Sequence, residues 1–187
     1  DRLRAFGETG AELIEHAKGL DNREVVSGAP PKSMGREMTF LKDTTDLELL
    51  SDTLLLLAND VSYRLFRHNM WGRTVTLKIK FEDMKSKTRS YSGGFIRSSE
   101  QIYNVAKGML VEQAMQKPIR LIGVSVSNLT DKAYEQLSFD SGTVEETKES
   151  VLGDTILKIK SEFGKGALKT AKELAAEERL FGEYEEN

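Results

Sequence analysis

No cysteine occurs among the 187 residues. That excludes a disulfide framework and a thiolate metal site, and it suits a reducing, cytoplasmic setting. Histidine is almost as scarce: His16 and His68 lie far apart with no ligand-spaced neighbour, so no metal site is expected. Long apolar runs are missing as well. Leu54–Leu57 is short and flanked by Asp52 and Asp60, which provides no membrane-spanning helix. The first residues, Asp1-Arg2-Leu3-Arg4, lack the apolar core of a signal peptide. They also begin without methionine, so the chain is expected to be a piece of a longer protein.

What is present is unevenly charged. The net charge of −3 hides a middle segment, residues 32–133, with 16 Lys and Arg against 11 Asp and Glu. Residues 134–187 carry 7 against 13. A basic middle beside an acidic end is compatible with a module that binds a polyanion, or with an ordinary solvated surface.

Along the chain, Ala11–Lys18 reads as a short helix, with Thr9 and Glu12 in capping-box spacing and Gly19 as its stop. Ser27-Gly28-Ala29-Pro30-Pro31 reads as a linker. Lys32–Thr44 predicts a strand, with Met34, Met38 and Phe40 on one face and Gly35, Glu37 and Thr39 on the other. Thr45 or Asp46 opens a long helix, whose apolar residues Leu47, Leu50, Leu54, Leu57, Val61 and Leu65 recur at steps of three and four. Arg73–Phe81 alternates most clearly, Val75, Leu77, Ile79 and Phe81 against Thr74, Thr76, Lys78 and Lys80. A turn at Glu82–Lys85 leads into a returning strand, Ser86–Ser92. Ser98 or Ser99 caps a helix over Glu100–Met115. Ile119–Leu129 is the last strand, with Ile122, Val124 and Val126 inward. Residues 141–187 read as helical and acidic, with apolar stripes of Val151, Leu152, Thr155, Ile156, Ile159 and Phe163, then Leu168, Ala171 and Leu174.

The resulting order, β-α-β-β-α-β, is that of an α+β, ferredoxin-like split unit. Two helices would cover one face of a four-stranded sheet. The other face would be open, lined by Thr39, Thr74, Thr76, Lys78, Arg89, Ser125 and Ser127.

Four blocks in this order resemble a known family. Lys32-Ser33-Met34-Gly35-Arg36-Glu37-Met38-Thr39-Phe40 is similar to the KS-x-G-x-E-x-TF signature that opens the little-finger domain of Y-family translesion DNA polymerases of the polymerase IV (ImpB/MucB/SamB) type. Arg73-Thr74-Val75-Thr76-Leu77-Lys78, Lys87-Thr88-Arg89-Ser90 and Arg120–Leu129 resemble its later strands. Upstream, Phe6-Gly7, Gly10, Leu13 and Ala17–Asp21 resemble the last helix of the thumb. The resemblance implies a thumb end at 1–22, a linker at 23–31, a little-finger DNA-binding domain at 32–133, a clamp-binding peptide at 134–140 and an acidic helical tail at 141–187. It also implies a nucleotidyltransferase parent whose palm, with its magnesium-binding carboxylates, is not in this segment. No catalytic residue, metal ligand or cofactor is therefore assigned here, and the segment alone should not polymerise.

The expected partner is primer–template DNA. Lys78, Lys80, Lys87, Arg89 and Arg120 are cations able to neutralise phosphates. Hydroxyls of Thr74, Thr76, Ser90, Ser125 and Ser127 position a duplex without reading its bases. Lys32, Ser33, Gly35, Arg36, Thr39 and Arg73 complete the expected DNA-binding set. Gln136, Leu137 and Phe139 resemble a sliding-clamp-binding peptide shortened by one apolar residue. Two further readings stay open: a non-catalytic regulator that occupies DNA or the clamp, and an RNA-recognition module, which needs exposed aromatics on the sheet.

Overall fold

The computed structural model describes residues 2–111, 117–131 and 148–185. The chain divides into two compact units, Asp1–Pro30 and Pro31–Asn187. In the first, a 3-10 turn (Arg2–Phe6) leads into helix α1, Gly7–Ala17. Gly10 packs so close to the Leu3 carbonyl that a Cβ would lie 1.8 Å from its oxygen. The helix starts two residues before the expected Thr9 cap, and Phe6 at its start makes no side-chain capping bond. It ends as expected at Gly19, whose φ of 77° lets Leu20 donate back to the Glu15 carbonyl at 3.0 Å.

The second unit contains strands β1 (Ser33–Thr44), β2 (Gly72–Phe81), β3 (Ser86–Ile96) and β4 (Ile119–Ser127), with helices α2 (Leu47–Arg67), α3 (Ser99–Val111), α4 (Lys148–Phe163) and α5 (Ala171–Glu185). Asp46 starts α2 because its Oδ1 accepts from the Glu48 and Leu49 amides at 2.8 and 3.2 Å. The leucine spacing then turns Leu50, Leu54, Leu57, Val61 and Leu65 into the core, while Leu47 stays 37% exposed. Ser98 caps α3, its Oγ accepting from the Gln101 amide at 3.2 Å. Ile102, Ala106 and Leu110 are buried beneath it, with Val105 and Met109 partly so.

The strands lie in the order β1-β4-β2-β3, every neighbouring pair antiparallel. The topology is thus two split β-α-β units: β1-α2-β2 with β4 between its strands, and β3-α3-β4 with β2 between. Val75, Leu77, Ile79, Ile122, Val124 and Val126 point toward α2 and α3 and are buried. Neither α2 nor α3 covers the other face.

One strand differs in register from the expectation. A four-residue turn over Glu82–Lys85 would set Phe81 opposite Ser86. In the structure Phe81 donates to the Lys85 carbonyl at 2.9 Å and Met84 to the Phe81 carbonyl at 3.0 Å, with Met84 left-handed at φ 65°. That three-residue connection sets Lys80 opposite Ser86, Lys78 opposite Thr88 and Leu77 opposite Arg89. A slip of one residue exchanges the faces of a strand. Lys87 and Arg89 therefore stand on the helix side of the sheet, and Ser86, Thr88, Ser90 and Ser92 on the open side.

The tail helices pack on α2, and of the expected stripes Ile156 and Ile159 are half-buried. Leu157, Ala176 and Leu180 are buried, while Leu152, Phe163 and Leu174 are largely exposed. Between α4 and α5 lies an enclosed ion pair, Lys160 Nζ to Glu173 Oε1 at 2.6 Å. Glu173 also forms a capping box with Thr170: its Oε2 accepts from the Thr170 amide at 2.6 Å, and the Thr170 hydroxyl accepts from the Glu173 amide at 3.2 Å. Arg179 reaches Glu48 at 2.9 Å and Asp52 at 3.2 Å on α2, Lys165 pairs with Asp60, and Arg97 with Asp154. Arg97 also sits over the Trp71 ring, 4.3 Å from its centre.

Candidate nucleic-acid interface

Antiparallel partners directly opposite one another share a face, so the registers define rows across the open side. Ser33, Ser127, Thr74 and Ser92 make the first row. Gly35, Ser125, Thr76 and Ser90 make the second, Glu37, Gly123, Lys78 and Thr88 the third, and Thr39, Leu121, Lys80 and Ser86 the last. The hydroxyls are held in pairs: Thr74 shares a hydrogen bond with Ser92 and Thr76 with Ser90, each at 2.8 Å, and Asn128 Nδ2 donates to Thr74 at 2.9 Å.

Two glycines lower the middle of this face. A Cβ on Gly35 would lie 2.7 Å from the Ser125 Cβ, and one on Gly123 would lie 2.5 Å from the Glu37 Cγ. Backbone is bare there, in a shallow depression of about 660 Å³ bordered by Ser33, Thr76, Lys78, Thr88 and Ser125. From the helix side, Arg64 of α2 donates to the Gly35 carbonyl at 2.9 Å and steadies this part of β1. Lys78 spans the depression to Glu37, its Nζ 2.9 Å from both carboxylate oxygens. The surface offers small hydroxyls, open backbone and ammonium groups, all of which are donors able to meet phosphate oxygens.

Of the expected DNA-binding residues, Ser33, Gly35, Thr39, Thr74, Thr76, Lys78, Ser90, Ser125 and Ser127 come together on this face. Lys32 immediately precedes it and is exposed. Arg36 does not join them: strand alternation turns it to the helix side, 3.7 Å from Asp60. Lys87 and Arg89 are on that side too, set there by the three-residue β2–β3 turn. Arg73 lies where β2 and β3 shift register, its guanidinium 4.1 Å from the centre of the Phe95 ring. Arg120 lies at the shift near the start of β4, 3.8 Å from Asp43. Ser86, Thr88, Ser92 and Gly123 were missed; the correct hairpin register would have supplied the first three. Gln136, Leu137 and Phe139 lie outside the described residues.

The magnesium of the implied parent does not fit the residues present. Among the described residues no group of three or more His, Asp or Glu side chains stands where it could hold an ion. Asp83 is instead taken by Lys117, 2.7 Å away, whose hydrogen bond holds its carboxyl below the usual range.

The model of the impB/mucB/samB family C-terminal domain matches residues 31–139, more than half of the chain. The chain belongs to this family. The impB/mucB/samB match takes in all four strands with α2 and α3, and ends before α4 and α5. DNA polymerase IV of Clostridium perfringens strain SM101 is 37% identical over 141 residues, covering 72% of this chain and 39% of that protein. DNA polymerase IV of Staphylococcus saprophyticus is 38% identical over 142 residues, with coverages of 74% and 39%. The chain thus spans about two-fifths of the length of these relatives. Among solved structures, the little finger domain of PolIV in a complex with the beta-clamp processivity factor aligns with 58% of this chain and 99% of that one, at 19% identity and a TM-score of 0.47.

Proposed function

We propose that this chain is the duplex-holding part of an error-prone translesion DNA polymerase, and that it grips primer–template DNA by the phosphate backbone with the open face of its sheet. The observation that carries this reading is the set of four rows on that face, with hydroxyls and bare glycine backbone across four strands and Lys78 and Lys80 among them. Phosphate contacts carry no sequence information, so such a hold tolerates the distorted bases that a polymerase copying damaged template must accommodate. Polymerisation and its magnesium belong, on this reading, to a palm outside residues 1–187. Residues 1–22 are the end of the thumb, and 134–140 are offered to a sliding clamp.

RNA stacking is not favoured. The four rows contain no aromatic side chain, and Tyr91, opposite Val75, is on the helix side. Salt-titrated binding to a primer–template duplex tests the proposal. Lys78→Ala/Lys80→Ala is expected to weaken binding for every duplex sequence and to flatten the slope of log K against log salt by up to about 1.8, roughly 0.9 for each phosphate left without its cation. Lys158→Ala/Lys172→Ala, removing two exposed lysines of the tail, should leave the slope unchanged. Equal effects from both pairs would refute a grip localised to the sheet.

A further inference from the structure

We infer that Glu37 is a built-in competitor for the phosphate site, holding Lys78 with a carboxylate that DNA must displace. This deepens the phosphate-grip reading and rests on it. Glu37 and Lys78 stand on β1 and β2, which are not neighbours; β4 runs between them. Two strand spacings amount to about 9.6 Å, and a side chain on the intervening strand would obstruct a direct contact. The residue opposite both is Gly123, and the Glu37 side chain lies over it, leaving 2.5 Å between the Glu37 Cγ and the place a Cβ would take. The missing side chain on β4 gives the carboxylate its path, and both of its oxygens reach the ammonium at 2.9 Å.

The pair also lies in the wrong place for a device that merely stabilises the sheet. The side chains are 44% and 41% exposed, and an exposed pair contributes little to folding. It spans the depression where phosphate oxygens would meet Lys78, Thr76, Ser125 and the Gly35 backbone. A carboxylate there presents two anionic oxygens to the same ammonium, as a phosphate would. Duplex binding then exchanges one anion for another on Lys78, and Glu37 must turn toward solvent. The exchange weakens the hold at one point, the behaviour suited to a domain that must release and re-grip the duplex as the enzyme advances.

The test is duplex affinity as a function of salt for the parent chain, Glu37→Gln, Lys78→Ala and the double variant, with melting temperatures confirming that each is folded. Glu37→Gln is expected to tighten binding about fivefold at low salt, the worth of a good exposed ion pair, and to steepen the salt slope. In the Lys78→Ala background the same change should gain much less, because no ammonium remains to be released. An equal gain in both backgrounds would mean simple repulsion and would overturn the competition. No gain from Glu37→Gln, with Lys78→Ala still weakening binding, would overturn it as well while leaving the phosphate grip standing. Tight binding indifferent to all three variants would remove the grip from this face altogether.

Discussion

Leu54→Ala is expected to lower the unfolding free energy by about 2–5 kcal/mol, the range for truncating a buried leucine. Leu54 is fully buried midway along α2, the helix that packs on both the sheet and the tail, so its surroundings are held from two sides and collapse poorly into a cavity. Domains of this kind are stable by only about 5–15 kcal/mol, so the variant should give up a large share of that margin. Urea unfolding measures it directly, with the midpoint falling and the m-value unchanged. Leu47→Ala is the internal comparison. It removes the same atoms from the same helix at a 37% exposed position and should cost less than about 1 kcal/mol. Similar losses from the two variants would mean that α2 does not seat Leu54 in the core.

Lys160→Met is expected to loosen the tail by about 3–5 kcal/mol, because it strands a buried carboxylate. The side chains of Lys160 and Glu173 are only 9% and 8% exposed. Burial by itself pushes the Glu173 carboxyl up, but hydrogen bonds from Lys160 and the Thr170 amide, with the Lys160 charge, outweigh it and leave it below its ordinary 4.5. A carboxyl lowered on folding contributes stability that is present above its unfolded value and lost as pH falls through the folded one. Tail docking in the parent should therefore weaken in acid below about pH 4.5, read as faster amide exchange in α4 and α5. In Lys160→Met burial is left to dominate, so the sign reverses: the defect should be greatest at neutral pH and shrink as Glu173 takes up a proton. Lys160→Met/Glu173→Gln should recover most of the loss, since glutamine is neutral and keeps the capping geometry with Thr170. Failure of the double variant to recover would mean that the lysine acts through packing rather than charge.

The sheet and its two helices were readable because their signals are periodic and local. Alternation in Arg73–Phe81 and the three-four leucine spacing of α2 each depend on one segment facing one core. The β2–β3 hairpin was harder. Its register depends on whether the turn holds three residues or four, and Met84 occupies the left-handed position without being the glycine or asparagine that marks it. That single uncertainty puts Arg89 on the open face, where the structure has Thr88 and Ser92. The tail was legible as helix, but its most buried positions were not, for a different reason. An apolar stripe treats Lys160 and Glu173 as solvent-facing, whereas the structure buries them as a pair, and the Thr170-x-x-Glu173 signature that starts α5 is visible only as polar residues. Gly123 carried a subtler message, since one glycine on a strand says little until its neighbours on both sides are known to be Glu37 and Lys78.

Because the sequence has no cysteine, a single introduced thiol reports on one place alone and can locate the duplex on the sheet. Ser90→Cys and Arg89→Cys are adjacent in sequence and stand on opposite faces of β3; Ser125→Cys adds the middle of the sheet and Leu174→Cys the tail. Alkylation of each should be followed with and without a saturating primer–template duplex. The duplex is expected to slow modification at Ser90→Cys and Ser125→Cys and to leave Arg89→Cys and Leu174→Cys unchanged. Protection at Arg89→Cys or Leu174→Cys, with the other two still reactive, would contradict a grip on the open face.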